Sequence, residues 1–581
     1  MAERLVAARD GWPTGRSASG PEGNAHRRQP PATVQRVPES DGIVAGAVRL
    51  AERLGNEAYY AALCLRSGVV GIEPPHKVAQ MLLELERYGT LGALSGIAAI
   101  RHRDHLVMVD DLGEITYGEL GDRVNALATA WIEEGLEAGD GVALLARNHR
   151  GLLVALFAAA RCGAKIILLN TGFSGPQIRE VCEREGADLL VYDEEFEHAV
   201  GDYTPRLGRL RGWLTTRHNA DDTLIALITS TQPKAPPKPK QAPRLVILTS
   251  GTTGTPKGAD RDVPMSLAPV GGVLSKVPFR ARGVTQLCAP IFHALGFSQM
   301  LLGVALGSTL VVARRFDPVD VLDSLESNRA TTMIVVPVML QRILAAAPTE
   351  YEGRDFRSLK IIFVSGSALS ADLAARAMKV FGPVVYNLYG STEVAYATVA
   401  TPADMIEAPG TVGQIVHGTV VKLLDADGVE VPAGQTGRIF VGNAIGFDGY
   451  TGGGDKERIA GLVSSGDVGH FDGSGRLFID GRDDDMIVSG GENVFPAEVE
   501  ELIATHPSVL EVAVLGVPDD EFGQRLKAFV VKRTGESALD EDAVKNFVKE
   551  NLANYKVPRE VEFLRELPRN ATGKVLKREL K

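Results

Sequence analysis

Two hydrophobic periods alternate along most of this chain. GVALLA (141–146), AKIILLN (164–170), ADLLVYD (187–193) and RLVIL (244–248) are short, nearly continuous aliphatic runs bounded by charged or glycine-containing turns. Runs of this length with no polar face predict strands buried on both sides. Between them the apolar positions return every three or four residues, as in ITYGELGDRVNALATAWIEEG (115–135) and HRGLLVALFAAARCG (149–163), which predicts covering helices. LIALIT (224–229) reads as a further strand, and VTQLCAP (284–290), TLVVA (309–313), TMIVVP (332–337), KIIFVSG (360–366) and VVYNLYG (384–390) continue the series. The expectation is an α/β fold: a large, multi-part N-terminal domain built on parallel sheet, followed by a small mobile α+β domain. The small domain is predicted from helices 496–505 and 540–552 and strands 511–517 and 526–532.

Other segments break this rhythm. Residues 1–45 are rich in Gly, Pro, Arg, Ser and Glu without apolar periodicity, and are expected to be disordered. Residues 46–105 form a helical extension, with Pro74-Pro75 separating two amphipathic pieces. A cap packed on the main domain is the preferred reading of residues 46–100, because helices of soluble proteins carry the same pattern. The other reading is a peripheral membrane-facing hairpin. Residues 294–313 carry no charge, but Gly296, Gly303 and Gly307 interrupt them, so a buried helix, turn and strand are expected instead of a membrane span. STQPKAPPKPKQAP (230–243) reads as an extended surface spacer whose Lys234, Lys238 and Lys240 are available to an anion.

Composition narrows the class. The 581 residues are 45% hydrophobic and 23% charged, ordinary for a globular protein of more than one domain. A net charge of −11 argues against nucleic-acid binding. Four scattered cysteines without a CxxC pair suggest neither a disulfide framework nor a zinc site, and fit a reducing cytoplasm.

The chemistry-bearing stretch follows the strand RLVIL. TSGTTGTPKG (249–258) offers Thr249, Ser250, Thr252, Thr253 and Thr255 as hydroxyl donors, Gly251 and Gly254 for close backbone approach, and the ammonium of Lys257. That donor set suits a polyphosphate. It is not a Walker A loop, because Lys257 follows a proline and precedes Gly258. Further polar turns close later strands: PIFHALG (290–296), SGSALS (365–370) and YNLYGSTE (386–393). Ligand sites of α/β sheets gather at such carboxyl ends.

In this order these motifs resemble the adenylate-forming superfamily of acyl-CoA synthetases, luciferases and nonribosomal adenylation domains, and the resemblance covers roughly residues 106–581. It implies an adenylation domain over 106–483 and a C-terminal lid over 484–581 that swings about Asp484. The resemblance places ATP on the 249–257 loop, on Gly366, Ser367 and Ala368, and on Tyr389, Gly390, Ser391 and Thr392. Asp467 and Arg482 then hold the ribose, Glu393 holds Mg²⁺, and His293 gates the acyl pocket. Lys574, in LPRNATGKVLKREL (567–580), reaches the α-phosphate during adenylation; Gly490, Gly491 and Glu492 face the coenzyme A tunnel after the swing. The implied substrate is a medium- or long-chain fatty acid, since Phe292, His293 and Ala294 offer no carboxylate for an amine; actinobacterial-type acyl-CoA ligases are the nearest pattern. An aromatic acid, or a carrier protein as acyl acceptor, stays open, as does a homodimer. A cytoplasmic enzyme, peripheral to the inner face of the membrane in the hairpin reading, is expected. A Walker-type NTPase and a silent lipid-binding protein are the readings from other classes, and the intact motifs argue against both.

Overall fold

The computed structural model describes residues 43–581 except 215–221, 249–257, 261–265, 347–349, 352, 448, 452, 454, 484–486, 490–491, 495, 520–522, 534–538, 553–555, 571–572 and 581. The expectation for residues 1–45 falls almost wholly outside that set. The chain divides into two units, Met1–Arg53 and Leu54–Lys581, and all that follows concerns the second.

Its first sheet has six strands in the order 209–213, 187–193, 141–145, 165–168, 244–248 and 258–260. All pairs are parallel but the last. Val142, Ala143, Ile166, Ile167, Leu190 and Val246 are at most 1% exposed, as continuous apolar strands require. The final hairpin pairs Leu248 with Gly258, the residues on either side of 249–257. A second sheet of fourteen strands is parallel through 106–110, 309–311, 284–287, 332–335, 361–364 and 385–389. It turns antiparallel from Thr398–Ala400 onward, through the hairpin Leu462–Phe471 and Arg476–Arg482. The small C-terminal domain is a five-stranded sheet with helices Pro496–Ala504 and Glu541–Asn551.

The residues expected to form a strand at 224–229 are instead the helix Leu224–Ser230, begun by Thr223 accepting from the Ala226 N–H at 3.2 Å. A six-residue apolar run has no period of its own, and a capping threonine is enough to tip it. The outer strand of the sheet is Arg209–Trp213, whose alternating arginines hid it from an apolar search.

The N-terminal extension is two helices, α1 (Ile43–Ser67) and α2 (Pro75–His102), and α2 packs on the helices α3 (Tyr117–Glu133) and α4 (Arg150–Arg161). Arg161, 2% exposed, ties them: it pairs with Glu84, donates to Asn125 Oδ1 at 2.6 Å and lies 4.5 Å over the Tyr88 ring. The Pro/Lys-rich stretch is strapped down more firmly than a spacer: Tyr88 donates to the Pro236 carbonyl at 2.6 Å, Thr129 to that of Lys234 at 3.2 Å, and Lys238 pairs with Glu86. The uncharged 294–313 stretch is the helix Ala294–Ala305, a turn at Gly307 and the strand Thr309–Val311. Among the described residues no helix is long and apolar enough to cross a membrane.

Candidate nucleotide and acyl-transfer site

The site is built where the second sheet changes direction. The strand Val385–Tyr389 ends at Tyr389, and a Cβ on Gly390 would stand 2.2 Å from the Ala395 carbonyl oxygen, so only glycine allows this tight turn. Ser391, Thr392 and Glu393 follow, all half-buried. Ser365 donates to the Leu388 carbonyl at 2.9 Å and locks the neighbouring turn beside this one. In that turn Gly366 takes φ 97°, and Gly366, Ser367 and Ala368 are exposed.

Two carboxylates face this corner. Asp467 and Arg482 are partners across one hairpin, and Arg482 Nη1 donates to Asp467 Oδ1 at 3.1 Å. Tyr389 donates to Asp467 Oδ2 at 2.6 Å and approaches Ser465 Oγ at 3.1 Å. Burial raises the Asp467 carboxyl, while Tyr389, Arg482 and the ammonium of Lys574 pull it back; the net shift is upward. A carboxylate held by donors on both oxygens keeps outer lone pairs for a diol.

Glu393 is the second. Tyr450 donates to Oε1 at 2.7 Å and Ser391 to Oε2 at 2.9 Å. Burial opposes its ionisation, yet these two donors and the charge of Lys456 hold its carboxyl below the ordinary value. An ionised, oriented carboxylate is the hard oxygen donor that Mg²⁺ accepts. Among the described residues no three His, Cys, Asp or Glu side chains gather as a metal cage.

His293 caps the helix Ala294–Ala305 and packs on Phe292 with ring centroids 4.4 Å apart. Its Nε2 is enclosed without a hydrogen-bond partner, and burial pushes its pKa down to about 3, so the ring is neutral. Asn148 anchors this segment, donating to the Ala289 carbonyl at 3.0 Å and accepting from the Ile291 N–H at 2.8 Å.

Lys574 lies in a turn closed by Asn570 Oδ1, which accepts its N–H at 2.9 Å. A Cβ on Gly573, at φ 80°, would meet Val338 Cγ1 at 2.2 Å, so the turn lies directly against the helix Pro337–Leu344 of the large domain. In this arrangement the Lys574 charge acts on Asp467. Thr249, Ser250, Gly251, Thr252, Thr253, Gly254, Thr255, Lys257, Asp484, Gly490 and Gly491 lie outside the described residues. Glu492 opens the strand Glu492–Val494, paired with Ile487–Ser489.

Sequence reading missed Tyr450, Ser465, Lys456 and Asn148 as supports of this site. Tyr450 meets Glu393 across 57 residues and Ser465 meets Tyr389 across 76, contacts that no local pattern announces.

Known proteins resemble this chain over most of its length. The profile described as AMP-binding enzyme matches residues 97–451, and that of the AMP-binding enzyme C-terminal domain matches 498–574. The chain is 34% identical over 474 residues to feruloyl-CoA synthase of Amycolatopsis sp., covering 80% of this chain and 93% of that one. It is 32% identical over 482 residues to indoleacetate–CoA ligase of Aromatoleum aromaticum strain EbN1, covering 80% and 92%. The solved structure of ATP-bound MatB from Rhodopseudomonas palustris superposes with a TM-score of 0.74 at 27% identity, over 84% of this chain and 98% of that one. With both family profiles matched and relatives covered over nearly their whole length, the chain belongs to the AMP-binding, adenylate-forming enzymes. Within them it is an AMP-forming acid–thiol ligase.

Proposed function

We propose that this enzyme activates a medium- or long-chain fatty acid with ATP and passes the acyl group to coenzyme A, releasing pyrophosphate and then AMP. The observation that carries the reading is the meeting of the Tyr389–Asp467–Arg482 cluster with the charge of Lys574, delivered by the small domain.

In the first half-reaction the acid carboxylate attacks the α-phosphorus of ATP. The 249–257 loop bears the β- and γ-phosphates, and Asp467 accepts the ribose hydroxyls while Arg482 favours its charged form. Thr392 is assigned to donate to a phosphate or acyl oxygen. Lys574 supplies a positive charge where negative charge develops, a contribution of placement and electrostatics more than of proton transfer. Glu393, oriented by Tyr450 and Ser391, would hold Mg²⁺, which supplies charge neutralisation at the phosphates when bound. In the second half-reaction the lid turns about Asp484, Lys574 withdraws, and the turn Gly490-Gly491-Glu492 lines the path of the coenzyme A thiol to the adenylate carbonyl.

The acid's tail is assigned to the space beside Phe292 and the neutral ring of His293. A buried unpaired ring nitrogen and an apolar neighbour favour a chain without charge. Aromatic acids are the second reading, because relatives named for feruloyl and indoleacetate substrates match over nearly their whole length.

The test is pyrophosphate release from ATP and Mg²⁺ with fatty, aromatic and amino acids, with and without coenzyme A, the product being weighed by mass spectrometry. Release confined to fatty acids, with acyl-CoA formed, supports the proposal. Turnover of aromatic acids alone selects the second reading. Adenylate that never becomes a coenzyme A thioester points to a carrier protein as acceptor.

A further inference from the structure

The helical hairpin carries a surface that the ligase chemistry does not use. Leu65, Val70, Ile72, Val78, Leu82 and Leu83 are between 39% and 100% exposed, Ile72 completely. Single exposed hydrophobics need no explanation, but six within nineteen residues around one turn form a patch.

The turn is held rigidly while it shows these side chains to solvent. Arg101, 7% exposed, donates to the Gly68 carbonyl at 3.1 Å and the Val69 carbonyl at 2.6 Å, and pairs with Glu73 at 3.0 Å. That pair neutralises the acidic residue between Ile72 and Pro74. The neighbouring Arg280–Arg282 segment is bound to the same turn, with Ala281 N–H donating to the Ser67 carbonyl at 2.7 Å and Arg280 to that of Arg66 at 3.2 Å.

The rim beside the turn is basic, while Glu84 and Glu86, next to Leu82 and Leu83, are paired with Arg161 and Lys238. Arg66, Arg280 and Arg282 are exposed and Lys77 is half-exposed. None of the four is paired with a carboxylate among the described residues. On a chain of net charge −11 this is a local reversal of sign. Apolar side chains at the centre and unpaired cations around them match the two layers of an anionic membrane surface, acyl boundary within and phosphate without.

We propose that this hairpin turn docks the enzyme on an anionic phospholipid bilayer, with Ile72 and Val70 entering the headgroup boundary and Arg66, Lys77, Arg280 and Arg282 on the phosphates. The docking is independent of which acid is activated, because it is read without turnover.

The experiment is co-sedimentation of the full-length protein with vesicles of phosphatidylcholine alone and of phosphatidylcholine mixed with phosphatidylserine. Binding to the mixed vesicles, weakened when salt is raised to about 0.5 M, is expected. Ile72→Glu lowers the partition by roughly tenfold or more. Arg66→Gln and Lys77→Gln each lower it by about fivefold, the share of one cation near an anionic surface. All three variants keep wild-type pyrophosphate release with a water-soluble acid, since they touch no residue of the site. The proposal is overturned if the wild type ignores the mixed vesicles, or if Ile72→Glu binds them equally well. It is also overturned if sedimentation shows a dimer that Ile72→Glu splits, because the patch is then a contact between copies.

Discussion

Tyr450→Phe removes one oxygen atom from the site and tests how Glu393 is kept ionised. The phenol donates to Glu393 Oε1 at 2.7 Å, while Ser391 serves only Oε2. Burial acts against the charge, so the carboxylate depends on its donors. A hydrogen bond to a charged group contributes about 1.5–3 kcal/mol, equivalent to about a 10- to 150-fold change in an equilibrium. The ring itself stays: its edge contact with Phe447, centroids 5.1 Å apart, is open to phenylalanine, so folding should be unchanged. The assay is the initial rate of pyrophosphate release across Mg²⁺ concentration and pH, with melting temperature as control. The expected result is a loss of at least about tenfold in kcat/KM for ATP. A higher Mg²⁺ requirement should accompany it, and the acid limb of the profile should move to higher pH, because the carboxyl has lost a group that favoured its anion. If the fold is intact while the Mg²⁺ dependence and the acid limb both match the wild type, Glu393 does not act as an ionised metal-facing carboxylate and the reasoning fails.

Lys574→Ala should reduce acyl-adenylate formation by about 100-fold or more, while conversion of supplied acyl-adenylate and coenzyme A to thioester persists; equal loss in both half-reactions would remove the role assigned to Lys574. Gly491→Trp should do the reverse, sparing adenylation and blocking thioester formation, as separate assays of the two steps would report. His102 is 4% exposed, has no hydrogen-bond partner on either ring nitrogen, and burial holds its pKa down at about 4. The unfolded chain binds its proton below about pH 6.5 and the folded chain does not. Its stabilising contribution is therefore intact above that pH and is lost as pH falls to about 4, by about 3 kcal/mol in total. Denaturant unfolding between pH 6 and 5 should show a slope smaller by close to one proton in His102→Met, and an unchanged slope would refute it. Arg161→Ala should cost about 3–5 kcal/mol in denaturant unfolding, because it breaks a buried pair and strips the cation from Tyr88; a loss under about 1 kcal/mol would mean that α2 does not depend on that tie.

The parallel strands were legible because burial on both faces demands continuous aliphatic residues: Val142 to Leu145 and Ile361 to Val364 announce themselves. Where the demand is weaker the reading failed. Arg209–Trp213 lies at the sheet edge and keeps its arginines, and Leu224–Ser230 is decided by one threonine cap. Among site residues, those on strand ends and tight turns were visible, since a turn such as the one at Gly390 admits few residue types. The chain by itself determined the layered α/β plan, the order of the motifs and the residue types that can meet a nucleotide, all properties of local pattern and spacing. Only the tertiary structure decided that Tyr389 serves Asp467, that Tyr450 and Ser391 hold Glu393, and that the Gly573 turn rests on the large domain with Lys574 acting on Asp467. It alone shows which hydrophobic residues of the hairpin remain in water. The physical reason is that charge state and exposure depend on groups brought together from distant parts of the chain, and burial changes the energy of a carboxylate or a leucine by amounts that local sequence does not encode.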